Sequence, residues 1–169
     1  NYVTSNFGNT IFQEFLPGVE YTVDVLCDMN KKPIIAVPRI RLQTKAGIST
    51  KGRIVRDAEL ETTCMNIAQD AGIRGPCCIQ MKESSEGRLQ LVEINSRLGG
   101  GTIFSALAGA NFPKMILDLL EGSEIKIPKV SEITVVRYYE EIVIEEGRGN
   151  RRDLSFTEPS LLSEPRLPE

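Results

Sequence analysis

The stretch that most constrains this chain runs Leu89-Gln90-Leu91-Val92-Glu93-Ile94-Asn95-Ser96-Arg97-Leu98-Gly99-Gly100-Gly101. Residues 89–94 are mostly apolar and lie between Gly87 and a glycine run, the pattern of a largely buried strand. Glu93 and Asn95 interrupt that pattern two residues apart. Side chains alternate faces along a strand, so both point the same way, with α-carbons about 6.5 Å apart. A carboxylate beside an amide oxygen suits a hard cation, and Arg97 continues the row if the strand extends that far. The glycines then permit a tight turn or a close approach to a bound group. Taken singly, Glu93 and Asn95 fit a hairpin edge with a solvated Glu and a turn Asn. Taken together, the row favours a ligand site.

Composition narrows the chemistry. The 169 residues suit one domain or one lobe of a larger protein, and 41% hydrophobic content is enough for a core. No apolar run approaches the roughly 18 residues of a membrane span. The chain has no His, which excludes Ser/His/Asp and Cys/His catalysis within it. Cys27, Cys64, Cys77 and Cys78 form no C-x-x-C pair. They read as small buried hydrophobes in a reducing compartment, hence a cytoplasmic protein. A net charge of −3 argues against nucleic acid as a partner. Even so, residues 29–56 hold eight cations and no acidic residue. A polyanionic ligand and a solvated Lys-rich edge loop both account for that window. The first residue is Asn rather than Met, as expected of an excised or processed piece.

Strands are expected over residues 11–16, 19–29 and 34–42, separated by Pro17-Gly18 and by Asn30 to Pro33. Along 19–29, Tyr21, Val23, Val25 and Cys27 share one face, and Glu20, Thr22, Asp24 and Leu26 the other. Residues 43–53, with Gly47 and Gly52, read as a mobile loop. Asp57 is a good N-cap for a helix reaching Ala71 and closed by Gly72, with Leu60, Cys64, Ile67, Ala68 and Ala71 as its apolar stripe. Gly75-Pro76 reads as a turn before a strand over 77–81, and 84–87 as a hairpin loop. A helical turn over 102–108, a helix begun by Pro113 and stopped at Gly122, and strands over 133–137 and 139–144 complete the expectations. From Glu145 the chain is charged and Pro-containing without periodicity.

These pieces together resemble a known family. QEFLPGVEYTVDVL, a basic segment with PRIRL, a helix, GPCCIQ and LVEINSRLGGG are similar to the C-terminal lobe of an ATP-grasp domain. The nearest likeness is to the carbamoyl-phosphate synthase large chain and its stand-alone relatives. The resemblance implies an α+β fold, a mainly antiparallel sheet with helices packed on one face. It divides the chain into a remnant of a preceding lobe or linker (1–10), the lobe itself (11–146) and an irregular tail (147–169). It further implies a fragment of an ATP-dependent ligase that uses Mg-ATP (or Mn-ATP) to convert a carboxylate, bicarbonate or carbamate into an acyl phosphate. A homo-oligomer or a glutaminase partner is compatible with it. The alternative is a degenerate, non-catalytic lobe that binds a ligand or partner.

Carried over to residues, the resemblance implies that Glu14, Phe15 and Leu16 line the adenine and that Glu20 meets the ribose hydroxyls. Gln80, Glu93 and Asn95 match the family's metal ligands, and Arg97 its contact to a phosphate or acyl phosphate. Arg41 and Lys45 are candidates for neutralising phosphate. The family often has Pro where Ser96 stands, a mild departure. Registry supplies a check: an even-numbered loop over 84–87 places Gln80 on the face of Leu91, Glu93 and Asn95, whereas an odd one reverses it.

Overall fold

The structure, a computed structural model, describes residues 12–138. In chain order its elements are β1 (Glu20–Cys27), β2 (Pro33–Lys45), β3 (Ile48–Ile54), α1 (Ala58–Asp70), β4 (Gly75–Glu83), β5 (Leu89–Asn95), α2 (Thr102–Leu107), α3 (Phe112–Leu120) and β6 (Thr134–Val136). One six-stranded sheet carries the order β5-β4-β1-β2-β3-β6. Every pairing in it is antiparallel. The α+β class and the antiparallel sheet are therefore as expected.

The placement of the helices differs from expectation. Alternation along β1 sends Val23, Val25 and Cys27 into a core with Leu60, Cys64 and Ala68 of α1. Leu26 points the opposite way, into a second core with Phe104 of α2 and Phe112 and Met115 of α3. Helices thus cover both faces, because neither face of the central strands is polar along its whole length. At the Leu26 end the second face is apolar. At the other end it is polar, with Glu20, Thr22 and Asp24 from β1 beside Lys82, Gln80 and Cys78 from β4.

Local rules explain the element ends. Asp57 caps α1, its side chain accepting from Leu60 N–H at 3.0 Å. Gly72 follows at φ +70. Of the expected stripe, Leu60, Cys64 and Ala68 are buried and Ile67 packs against them, but Ala71 is exposed at the C-cap. Asn111 caps α3 with Pro113 in its first turn.

Several expectations are corrected. Residues 43–53 form no loop: β2 and β3 extend through them and reverse at Ala46-Gly47, φ +50 and +76. Two consecutive positive φ values suit a tight hairpin turn, whose twist matches the strands; polar composition masked a long hairpin. Residues 12–16 are not a strand, since their backbone joins no ladder. Gly75-Pro76 opens β4 instead of preceding it. The expected strand over 139–144 and the tail over 147–169 lie outside the described residues, as do residues 1–11.

Asp57→Ala should lower unfolding free energy by about 1 kcal/mol, read as a lower urea midpoint with unchanged slope. An unchanged midpoint would show that the cap does not hold α1.

Candidate functional site

A cavity of about 220 Å³ opens on the polar half of the sheet face shared with α2 and α3. Antiparallel register brings its donors together. Thr22 on β1 stands opposite both Gln80 on β4 and Arg39 on β2. Gln80 stands opposite Glu93, and Cys78 opposite Asn95. Arg41, Gln80, Glu93, Asn95 and Arg97 all line the cavity.

The Gln80–Glu93 pairing arises by an unexpected route. Glu83 pairs with Leu89, so five residues form the hairpin loop, an odd number that by itself would turn Gln80 away. A bulge follows, with Val92 left unpaired between Leu91 opposite Met81 and Glu93 opposite Gln80. That extra residue restores the register and turns Glu93 and Asn95 toward Gln80. The expected face is thus reached for Glu93 and Asn95 but not for Leu91, which stands opposite the core residue Met81. Nor is β5 the largely buried strand its apolar residues suggested. It is the sheet edge, with Leu91, Val92 and Glu93 exposed, so the donor row faces solvent through the cavity mouth.

Three side chains meet at one oxygen. Glu93 Oε1 accepts from Gln80 Nε2 at 2.6 Å and from Asn95 Nδ2 at 2.9 Å. Arg97 Nη2 reaches Asn95 Oδ1 at 3.5 Å, and its Nη1 donates to the Leu98 carbonyl. Among the described residues no three His, Cys, Asp or Glu side chains are placed to hold a metal ion. A cation held here must therefore use the single carboxylate and the two amides. Rotating each amide about its terminal bond exchanges nitrogen for oxygen and turns two neutral oxygens toward the carboxylate. One charged and two neutral hard oxygens, with room for anionic oxygens in the cavity, fit magnesium.

The other expected residues lie beside the cavity. Glu20 is ion-paired with Arg41 Nη1 at 2.8 Å and lies 4.0 Å from Lys82 Nζ. Arg41 also donates to the Gly47 carbonyl at 2.8 Å, tying the β2–β3 turn to β1. Its Nε is buried without a hydrogen-bond partner. Phe15 is 82% exposed, and Lys82 Nζ stands 5.9 Å from its ring centroid. Glu14 is exposed and Leu16 half-buried beside it. Gly18 N–H bonds the Glu83 carbonyl at 3.0 Å, fixing this segment against β4. Lys45 is exposed at the end of β2, outside the cavity lining. Of the basic window, Arg39, Arg41 and Arg56 are paired with Asp24, Glu20 and Glu61, so part of that charge is neutralised within the fold.

Sequence reading missed Thr22, Arg39, Ser49 and Cys78 in the lining. For Arg39 a signal existed, since Asp24 and Arg39 are charges inside otherwise apolar strands. Burial pushes the Cys78 thiol up to about 11, with nearby Asp24 adding to the shift, which disfavours the reactive thiolate.

Comparisons with known proteins give the family and the fold. A family model described as "ATP-grasp in the biosynthetic pathway with Ter operon" matches residues 6–142. The chain belongs to that ATP-grasp family. Its fold is shared by biotin carboxylase of Campylobacter jejuni, crystallised as a β-γ-ATP complex, at TM-score 0.56 and 15% identity over 76% of this chain and 32% of that one. L-amino acid ligase of Bacillus licheniformis matches at TM-score 0.56 and 16% identity, over 75% of this chain and 35% of that one. Pyruvate carboxylase of Rhizobium etli matches at TM-score 0.59 and 16% identity, over 73% of this chain and 13% of that one. The chain thus spans about a third or less of these proteins. No curated protein matches it. Among the described residues no helix is long and apolar enough to cross a membrane.

The buried thiols generate a pH prediction. Burial raises Cys64 and Cys77 to about 12 and Cys78 to about 11, above the usual thiol value near 9. The native state therefore keeps protons that the unfolded chain releases. This contribution is fully present below about pH 8.5 and declines as pH rises toward 11 to 12. The urea midpoint under reducing conditions should fall between pH 8 and pH 10.5, and fall less steeply in Cys77→Ala. A flat profile would contradict the burial of these groups.

Proposed function

We propose that this chain supplies the metal- and phosphate-holding floor of the nucleotide site in an ATP-dependent ligase. The observation that carries the reading is the convergence of Gln80 and Asn95 on one oxygen of Glu93, at the wall of a cavity that Arg41 and Arg97 also line. A continuous series of contacts supports the direction of the nucleotide. Phe15 lies under Lys82, Lys82 lies beside Glu20, and Glu20 pairs with Arg41 at the cavity. Base, ribose and phosphates laid along that series meet an aromatic segment, a carboxylate and then cations, each matched to its chemistry.

In this reading Glu93, Gln80 and Asn95 would hold magnesium, which would supply charge neutralisation at the phosphates. Arg97 is a planar fork beside the donors, suited to two oxygens of the transferred group or of an acyl phosphate. Arg41 leaves Glu20 when ribose hydroxyls replace it and turns its unpartnered Nε and fork to phosphate. Phosphoryl transfer needs positioned charge and no protein nucleophile, which suits a chain without His. The acceptor is a small carboxylate-type oxygen, with bicarbonate or carbamate as the carbamoyl-phosphate-synthase-like case. Lys45 sits where it neutralises phosphate only if the β2–β3 turn folds inward.

In the full-length protein, Glu93→Ala should lower magnesium-dependent ADP release by at least about a hundredfold while circular dichroism and the thermal midpoint hold. Activity within a few-fold of the unaltered protein would overturn the metal assignment.

A further inference from the structure

Beneath the donor row lies a buried polar set that the proposed chemistry leaves unused. Asp24 and Arg39 are 1% and 2% exposed, in the middle of β1 and β2. Asp24 Oδ2 accepts from Arg39 Nη1 at 3.1 Å and from Ser105 Oγ at 2.6 Å. Asp24 Oδ1 accepts from Thr102 Oγ1 at 3.2 Å. Two arms lead from this carboxylate to the glycine run. Thr102 Oγ1 in turn accepts from Gly99 N–H at 3.0 Å, and Arg39 Nη1 donates to the Gly101 carbonyl at 2.8 Å. Both ends of the triplet are thereby gripped, and Arg137 donates to the Gly100 carbonyl between them.

We propose that Asp24 is a positioning residue for the phosphate end of the cavity, acting through Thr102 and Arg39 on residues 99–101; this rests on the nucleotide reading above. Three successive glycines have no side chains to order them and many backbone conformations to lose. Their shape must be imposed through backbone groups, and Asp24 sits where it organises both contacts. The fit is close. A Cβ on Gly101 would collide with the Arg39 guanidinium, and one on Gly99 would stand 2.8 Å from Cys78 Sγ. All three glycines line the cavity. The segment also sets Arg97, whose Nη1 rests on the Leu98 carbonyl one residue before the triplet. A shift of the glycines therefore displaces both the cavity wall and the arginine beside the donor row, while leaving the base-proximal segment near Phe15 untouched.

Thr102 separates positioning from plain stability. Thr102→Val keeps the shape and removes the hydroxyl linking Asp24 to Gly99; Thr102→Ser keeps the hydroxyl. In the full-length protein, Thr102→Val should weaken Mg-ATP binding about tenfold by calorimetry, with adenosine affinity held within about twofold. Thr102→Ser should restore Mg-ATP affinity. Amide exchange in the peptide covering residues 97–104 should quicken in Thr102→Val alone. Should the valine variant not fold, Gly101→Ala, which forces the segment off Arg39, should show the same selective loss. Mg-ATP affinity equal to that of the unaltered protein, or equal losses for Mg-ATP and adenosine, would overturn the proposal. Failure of the unaltered protein to bind Mg-ATP would instead overturn the nucleotide reading on which the proposal depends.

Discussion

The buried pairing of Asp24 with Arg39 is the interaction on which the rest of this lobe depends. It lies where the apolar half of one sheet face gives way to the polar half. Withdrawing two charges from water is costly, and such a pair persists only when further hydrogen bonds satisfy it. Here Ser105, Thr102 and the Gly101 carbonyl supply most of them, and Arg39 Nε alone of the pair's buried polar atoms has no partner. Removing either charge would leave the other buried without compensation, a loss of roughly 3–5 kcal/mol. The electron-rich ring of Phe104 completes the arrangement: the guanidinium groups of Arg39 and Arg137 lie 5.4 and 4.8 Å from its centroid. The same contacts thus join β1, β2 and α2 and shape one wall of the cavity.

Around that pair the molecule divides its labour by face. The side covered by α1 is an apolar core built from Val23, Val25, Leu60, Ile79 and Met81 with three cysteines and two alanines. The other side has a second apolar core at one end and the donor row at the other. The row sits on β4 and the edge strand β5, where one flank of the sheet is open. An exposed edge is normally a liability for pairing. The bulge at Val92 disrupts the regular ladder there and sets the direction of Glu93, so one irregularity serves both purposes.

Much of the site was legible in the sequence because chemistry and period coincide in it. Glu93, Asn95 and Arg97 are polar residues on a two-residue spacing just before three glycines, and the spacing alone puts the first two on one side. Gln80 needed only a hairpin. The route to its partner was not legible: loop length and bulge offset each other, and a bulge of ordinary residues has no local signature. The β2–β3 hairpin was hidden for a related reason. Near its turn, over residues 42–48, the hairpin is exposed, and there lysine, threonine and glutamine serve as well as valine, so the hydrophobic pattern that marks a strand was weak. Ala46 at positive φ carries no sign of its turn either.

By itself the sequence determined which groups are available: hard oxygen donors beside cations and glycines, in a chain without His. It also determined the alternation of β1, the capped helix α1 and the antiparallel class, since each depends on local spacing. Only the tertiary structure decided that helices cover both faces, that β5 is an edge, that Gln80 meets Glu93, and that Asp24 reaches across 81 positions to Ser105. Those features depend on registry and on burial of charge between distant segments. Neither is encoded in the properties of any short run of residues.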